Sequence, residues 1–403
     1  MESDKIWTKD FIFLLTSNFL VSLSFYLLMT SMAVYAIRQF SASESSAGLA
    51  ASAFIIGALI ARIFAGKFID VIGRKKMLYI GLGLFLVGSI SYLFVTSIGF
   101  LMAIRLVHGM GFGIATTVLV TVTMTALPAD KRGEGTGYFS LSTAGATAIG
   151  PFLALYLSNH FTYNTMFVFC IIFSVLALVS SAFGTIIEID LTYEQKENIK
   201  KSFRLKDFYE KKALPIALLM FVSGMAYSGI ISFINSYAIE TNLTKAASFF
   251  FVVYAIFLFL GRPIAGKLFD KKGENIVVYP SFLMFAIGLL LITFANAGFM
   301  LILAGALLAL GYGTIISSMQ TLVVKVSEPH RLGVAISTFF ICLDAGMGIG
   351  PYILGLIAEQ AGFHTMYFVL AIAIFFLIPT YYLVHGKKAS TVKKQSDLVK
   401  SIH

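Results

Sequence analysis

The sequence predicts an all-α integral membrane protein, with twelve transmembrane helices in two pseudo-symmetric six-helix halves. Three observations carry this expectation. Residues are 58% hydrophobic and only 12% charged, with a mean hydropathy of +0.88, whereas soluble domains hold about 25% charged residues. Apolar runs recur down the whole length, each near the ~20 residues that a helix needs to cross the hydrocarbon core. The chain also repeats itself at an offset of 200 residues.

The apolar runs lie at 11–36, 46–66, 77–95, 99–127, 136–158, 164–187, 213–239, 246–266, 277–296, 299–323, 334–358 and 364–385. They are continuous rather than alternating, which excludes a β-barrel. The polar stretch 188–212 falls after six of them and before the other six. The expected organisation is therefore a first half at 1–187, a cytoplasmic linker at 188–212, a second half at 213–386 and a basic cytoplasmic tail at 387–403. Phe203, Leu205, Phe208 and Tyr209 stand among lysines in the linker, so it either lies on the membrane surface or is simply solvated.

The net charge of +10 reads as topology rather than as nucleic-acid binding. With the N-terminus in the cytoplasm, 25 of the 30 Lys and Arg fall on the cytoplasmic side and only Arg38 and Lys245 in outer loops. This bias places both termini in the cytoplasm. The first span is too long for a signal-peptide core. Cys170 and Cys342 lie inside spans, so neither a disulfide nor a zinc site is expected. No metal-ligand cluster or nucleotide-binding loop stands out. GMGFG at 109–113 sits mid-span rather than after a strand, which excludes a dinucleotide fold. The chain is expected to carry no cofactor and not to be an enzyme.

The repeat is clearest in a charged turn. Residues 62–73 read RIFAGKFIDVIG and residues 262–273 read RPIAGKLFDKKG, with six identities in twelve positions. An internal duplication in an apolar chain is a signature of secondary transporters. Gly66 suits close helix contact, and Gly73 a turn with positive φ. Asp70 at the membrane edge is costly unless paired.

These residues resemble the major facilitator superfamily, in its twelve-span drug and metabolite efflux branch, over essentially the whole chain. The family's loop pattern G-x-x-x-D-[RK]-x-G-[RK]-[RK] appears as Gly66, Asp70, Gly73, Arg74 and Lys75, and departs only at Val71. The second copy keeps Gly266, Asp270 and Gly273 but has Glu274 and Asn275 in place of the basic pair. The resemblance implies a gate in which Asp70 meets the N-terminus of span 11, Arg74 orients Asp70, and Asp130 is a further partner. Asp270 would face the start of span 5 in the same way. A basic loop serving topology alone is the simpler alternative.

Two charges lie deep in spans. Arg105 in span 4 matches the family's Arg, which is associated with proton coupling, with His108 where the family often has Gln. Asp344 lies about 16 Å into span 11 at 1.5 Å per residue. Their repeat mates are Gly305 and Ala144, so neither charge follows from scaffold symmetry. Each is read either as proton-coupling or as a hydrogen-bonded helix-packing group. Gly150 and Pro151 in span 5, and Gly346, Gly350 and Pro351 in span 11, are expected to bend and pack helices. Asn18, Tyr26, Tyr35, His108, Thr116, Tyr227, Asn235 and Tyr312 are the candidate cavity residues, polar or aromatic groups of the kind that line largely apolar pockets.

The reading is export of a small amphipathic compound by proton antiport and alternating access. The expected partners are the substrate, protons and the lipid bilayer, with no nucleic acid, and the carrier works as a monomer. Its setting is a plasma membrane, bacterial, spanned many times. A dedicated exporter of one metabolite (a sugar, an amino-acid derivative or a metal chelator) and a proton symporter for uptake are alternatives that fold does not separate. A non-transporting sensor is the rival from another class.

Overall fold

The computed structural model describes residues 5–42, 44–202 and 204–389. The helices run in order α1 (Lys9–Phe40), α2 (Glu44–Ile72), α3 (Arg74–Ser91), α4 (Ile98–Ala126), α5 (Arg132–His160), α6 (Tyr163–Phe183) and α7 (Tyr193–Lys201). The second set is α8 (Leu214–Glu240), α9 (Thr244–Lys272), α10 (Asn275–Thr293), α11 (Gly298–Leu308), α12 (Thr314–Val326) and α13 (Leu332–Tyr381).

Ten helical stretches among the described residues are long and apolar enough to cross a bilayer. One of them, Pro329–Ala389, runs 61 residues, about 90 Å at 1.5 Å per residue and too long for one crossing. It divides at Gly362, whose φ of 81° and ψ of 162° break helical geometry. With α2, a further 29-residue helix, the described residues hold twelve helices of span length. The fold is the two-halved one expected. Large apolar side chains such as Phe152, Phe183, Leu260 and Ile264 stand exposed along the helices. A bilayer is the solvent in which such surfaces are stable, because backbone groups are already paired inside each helix.

Two local features were not legible as pattern. The sixth span stops at Phe183 rather than continuing to 187, and residues 185–192 run without helix; Asp10 accepts from Thr185 N at 2.7 Å there. A π-turn, Ala309–Gly313, joins α11 to α12, adding one residue to the turn that carries Tyr312. Such bulges recur at functional sites.

The chain forms two compact units. One comprises Met1–Pro128, Ser142–Lys211 and Ser327–Ile341; the other comprises Ala129–Leu141, Lys212–Val326 and Cys342–His403. The first turns of α5 thus cluster with the second half, and the start of α13 with the first. These two exchanged segments are mates under the 200-residue repeat. Gly73 (φ 97°) and Gly273 (φ 88°) supply the paired turns that close the second helix of each half. A side chain at this φ costs about 1–2 kcal/mol, so Gly73→Ala is expected to lower the thermal midpoint of the detergent-solubilised protein by about one to two degrees.

Candidate functional site: the gate turns and the buried charges

In the second unit, α9 ends against the start of α5. The Asp270 carboxylate accepts from Gly133 N and Glu134 N, both at 2.8 Å. These N–H groups are unpaired by the helix itself and carry its positive dipole end. A Cβ on Gly133 would lie 2.7 Å from Asp270 Oδ1 and 2.8 Å from Gly266 O, so the bond requires glycine at this crossing. Lys267 pairs with Glu134 at 3.2 Å. Higher in the same crossing, Arg262 donates from Nε to Gly313 O at 3.1 Å and also to Ser140 O.

The mate of this site, in the first unit, is built differently. Arg74 Nε donates to Asp70 Oδ1 at 2.7 Å, and its guanidinium also reaches Thr125 Oγ1 and Ile187 O. Gly66 lies against Gly333 and Ser337: a Cβ on Gly333 would sit 3.0 Å from Gly66 O. Ser337 Oγ donates to Arg62 O, and the Arg62 guanidinium covers the Phe340 ring at 4.4 Å. His330, just before α13, lies within electrostatic reach of Asp70.

Asp130 does not take the place expected for it. It is exposed on a short turn and lies beside Asp270, whose negative charge it opposes. The second carboxylate at the Arg74 turn is Glu188, which accepts from Arg74 N at 2.7 Å and Lys75 N at 2.8 Å. It caps the N-terminus of α3 from the chain that follows span 6.

Arg105 is fully buried in α4. Its Nε donates to Ala50 O at 3.1 Å, and the guanidinium stacks over Phe54 at 4.7 Å. Tyr92 bonds the Arg105 side chain and begins a buried polar chain. Tyr92 Oη lies 3.1 Å from His108 Nδ1, Ser89 Oγ lies 3.2 Å from His108 Nε2, and Ser174 Oγ lies 3.0 Å from Ser89 Oγ. Both ring nitrogens of His108 are thereby engaged inside the half, unlike the expected cavity-facing side chain. Tyr35 is likewise packed, with ring centroids 4.9 Å from Tyr163 and 5.3 Å from Phe167.

The other candidates fall as follows. Asn18 Nδ2 donates to Ser142 Oγ at 2.7 Å and Thr143 Oγ1 at 3.1 Å, tying α1 to α5. Tyr26 is half-buried beside Phe25 and Gly150. Thr116 Oγ1 donates to Phe112 O at 2.8 Å. In the second unit Tyr227 stacks on Tyr312 at 4.0 Å and on Tyr254 at 5.9 Å; Tyr254 is a member of this cluster that composition did not single out. The side chain of Asn235 lies outside the described residues. Asp344 is half-buried in α13. Neighbouring Leu343 and Gly346 pack closely on α8, and Gly350 meets Met225 and Ser228 there. Pro151 and Pro351 sit inside α5 and α13. Among the described residues no group of His, Cys, Asp and Glu could hold a metal ion.

The profile of the Major Facilitator Superfamily matches residues 14–280 and 216–402. Relatives include an uncharacterised MFS-type transporter of Methanocaldococcus jannaschii, 27% identical over 90% of this chain and 92% of its own. The staphylopine export protein of Staphylococcus aureus is 24% identical over 81% of this chain and 84% of its own. A multi-drug resistance efflux pump of Streptococcus pneumoniae is 25% identical, covering 89% and 92%. The crystal structure of the human organic anion transporter MFSD10 superposes with a TM-score of 0.74 at 15% identity, covering 94% of this chain and 99% of that one.

One acid outside the spans tests the electrostatics directly. Glu274 pairs with Lys325 and with His385, each at 2.9 Å. Burial raises its carboxyl, but those two hydrogen bonds outweigh burial and hold it down at about 2. A depressed carboxylate stabilises the fold above its unfolded value, and that contribution is lost only as pH falls through about 2. The expected outcome is that Glu274→Gln lowers the thermal midpoint at neutral pH, by an amount corresponding to about 1–2 kcal/mol. An unchanged midpoint contradicts the assignment. By its sequence profile and its fold, this chain is a member of the major facilitator superfamily and a multi-pass membrane transporter.

Proposed function

We propose that this transporter exports a small amphipathic compound in exchange for protons, by alternating access. The observation that carries the reading is the Asp270 carboxylate bound to the first-turn N–H groups of α5, joined to the export and efflux functions named for the relatives above. The bond holds only while the cytoplasmic ends of α9 and α5 touch. A contact made in one state biases a two-state equilibrium by its own differential energy, here about 1.5–3 kcal/mol for each hydrogen bond to a charged group. Opening to the cytoplasm breaks it, and substrate or proton binding supplies the compensating energy.

Arg105 and Asp344 are the proposed coupling charges. Each is a single ionisable group held inside a span, where a charge is expensive and is retained for function by default. Asp70, Arg74 and Asp270 serve as latches; Tyr26, Tyr227 and Tyr312 contribute aromatic surface to the substrate path. The proposed setting is a bacterial plasma membrane with both termini cytoplasmic. Export of one dedicated metabolite is the second reading, favoured by the relative named for staphylopine.

The test is proton movement in oriented vesicles under an imposed pH gradient, with lipophilic cations, neutral drugs and polar metabolites as challenges. Antiport is expected to give substrate-dependent proton release that disappears in Asp344→Asn and in Arg105→Ala. Substrate flux without a proton signal overturns coupling and leaves a facilitator.

A further inference from the structure

The two crossings are repeat mates, yet they are held by different partners. In the second unit Lys267 bonds Glu134 across the crossing. The mate of Lys267 is Lys67, but the mate of Glu134 is Val334, which has no charge to offer. Lys67 is nonetheless buried. Its ammonium donates to the carbonyl of Ser202 in the linker and lies 4.5 Å from the Phe208 ring centroid. The linker also holds the other side of the same crossing. Glu210 pairs with Arg331, and its backbone N donates to Thr338 Oγ1 at 3.0 Å. Arg331 donates to Tyr209 O at 3.0 Å and Lys206 O at 3.3 Å.

The segment is itself pre-shaped. Asp207 accepts from Ser202 Oγ at 2.6 Å and Arg204 N at 2.8 Å. The hydrogen bonds to Asp207 and the Lys67 charge outweigh burial and leave its carboxyl below the ordinary value. Ahead of it, α7 starts on a capping box between Thr192 and Gln195. A flexible linker joining two halves needs none of these contacts. Glu210, in particular, is an acid buried at 5% exposure, which is costly without a partner.

We propose that linker residues Ser202 and Arg204–Glu210 act as a strap across the cytoplasmic ends of α2 and α13, with Glu210 and Arg331 as positioning residues at the crossing where Val334 stands in place of Glu134. The strap must release in each cycle for α2 to part from α13, a statement that rests on the alternating-access reading above. It makes the two crossings unequal. The α9–α5 crossing opens by breaking side-chain bonds to one helix end, while the α2–α13 crossing opens only when a third segment lets go of both helices.

The first experiment is a reversible lock in the full-length chain. Phe64→Cys and Phe208→Cys, whose ring centroids lie 6.1 Å apart between α2 and the linker, are combined with Cys170→Ala and Cys342→Ala, leaving Glu210 and Arg331 in place, and substrate flux is measured in vesicles after oxidation and again after reduction. The expected result is a cross-link in the resting protein, loss of flux when oxidised and recovery on reduction. Absence of the cross-link, or full flux in the cross-linked form, overturns the strap. A second measurement separates a gate role from a folding role. Hydrogen–deuterium exchange over 202–210 is expected to rise about tenfold in Glu210→Gln or Arg331→Gln, as one charged hydrogen bond is lost. The charge exchange Glu210→Arg with Arg331→Glu is expected to restore slow exchange, and failure to restore it counts against the pair. Flux that stops on locking but never moves protons keeps the strap and removes the antiport reading, so the two failures are distinct.

Discussion

A carboxylate set on the free N–H groups of a helix end organises the rest of this molecule. Asp270 occupies the first turn of α5, where the donors have no partner within the helix and the dipole favours an anion. That bond demands glycine at 133 and at 266, because a Cβ on either would collide with the facing backbone or carboxylate. It also fixes where α9 must end, so the chain turns at Gly273 with positive φ. The motif residues are thus parts of one contact rather than separate features. The contact explains why residues 129–141 group with the second half instead of the helix they begin.

The duplicated frame repeats this geometry but not its chemistry. In the first copy Asp70 is held by Arg74, Glu188 caps the helix that follows, and the linker takes up Lys67 and Arg331. In the second copy Glu274 stands where Arg74 does and turns to Lys325 and His385 instead. Those hydrogen bonds outweigh burial and hold the Glu274 carboxyl at about 2. The two copies thus spend the same turn position on different partners, Arg74 on Asp70 and Glu274 on Lys325 and His385.

Much of this was legible in the sequence, for physical reasons. Bilayer spans need long apolar runs, and charge bias marks the cytoplasmic side; both are one-dimensional signals. The duplicated turn was legible because its glycines and acids recur at a fixed offset. Partners brought in from distant chain were not. Glu188, Glu210 and Glu134 read as ordinary loop or helix-end acids, and nothing local says which cation or N–H group each will meet. His108 and Tyr35 read as cavity residues because polarity in a span suggests a wet face. The fold instead satisfies His108 with Tyr92 and Ser89 and packs Tyr35 among aromatic rings. The π-turn at 309–313 also left no mark, since one added residue scarcely alters an apolar run.

The asymmetry inside the spans runs the same way as that at the gates. Arg105 faces a glycine, and Asp344 an alanine, under the repeat. Scaffold contacts come in pairs because duplication copies them and both halves need them. A charge that appears in one copy alone, at a site where burial is costly, is not required by the fold that both copies share. Arg105 has a backbone carbonyl and an aromatic face to rest on, which lowers that cost without neutralising the charge. Arg105 in the first half and Asp344 in the second are therefore charges that the duplicated scaffold alone does not account for.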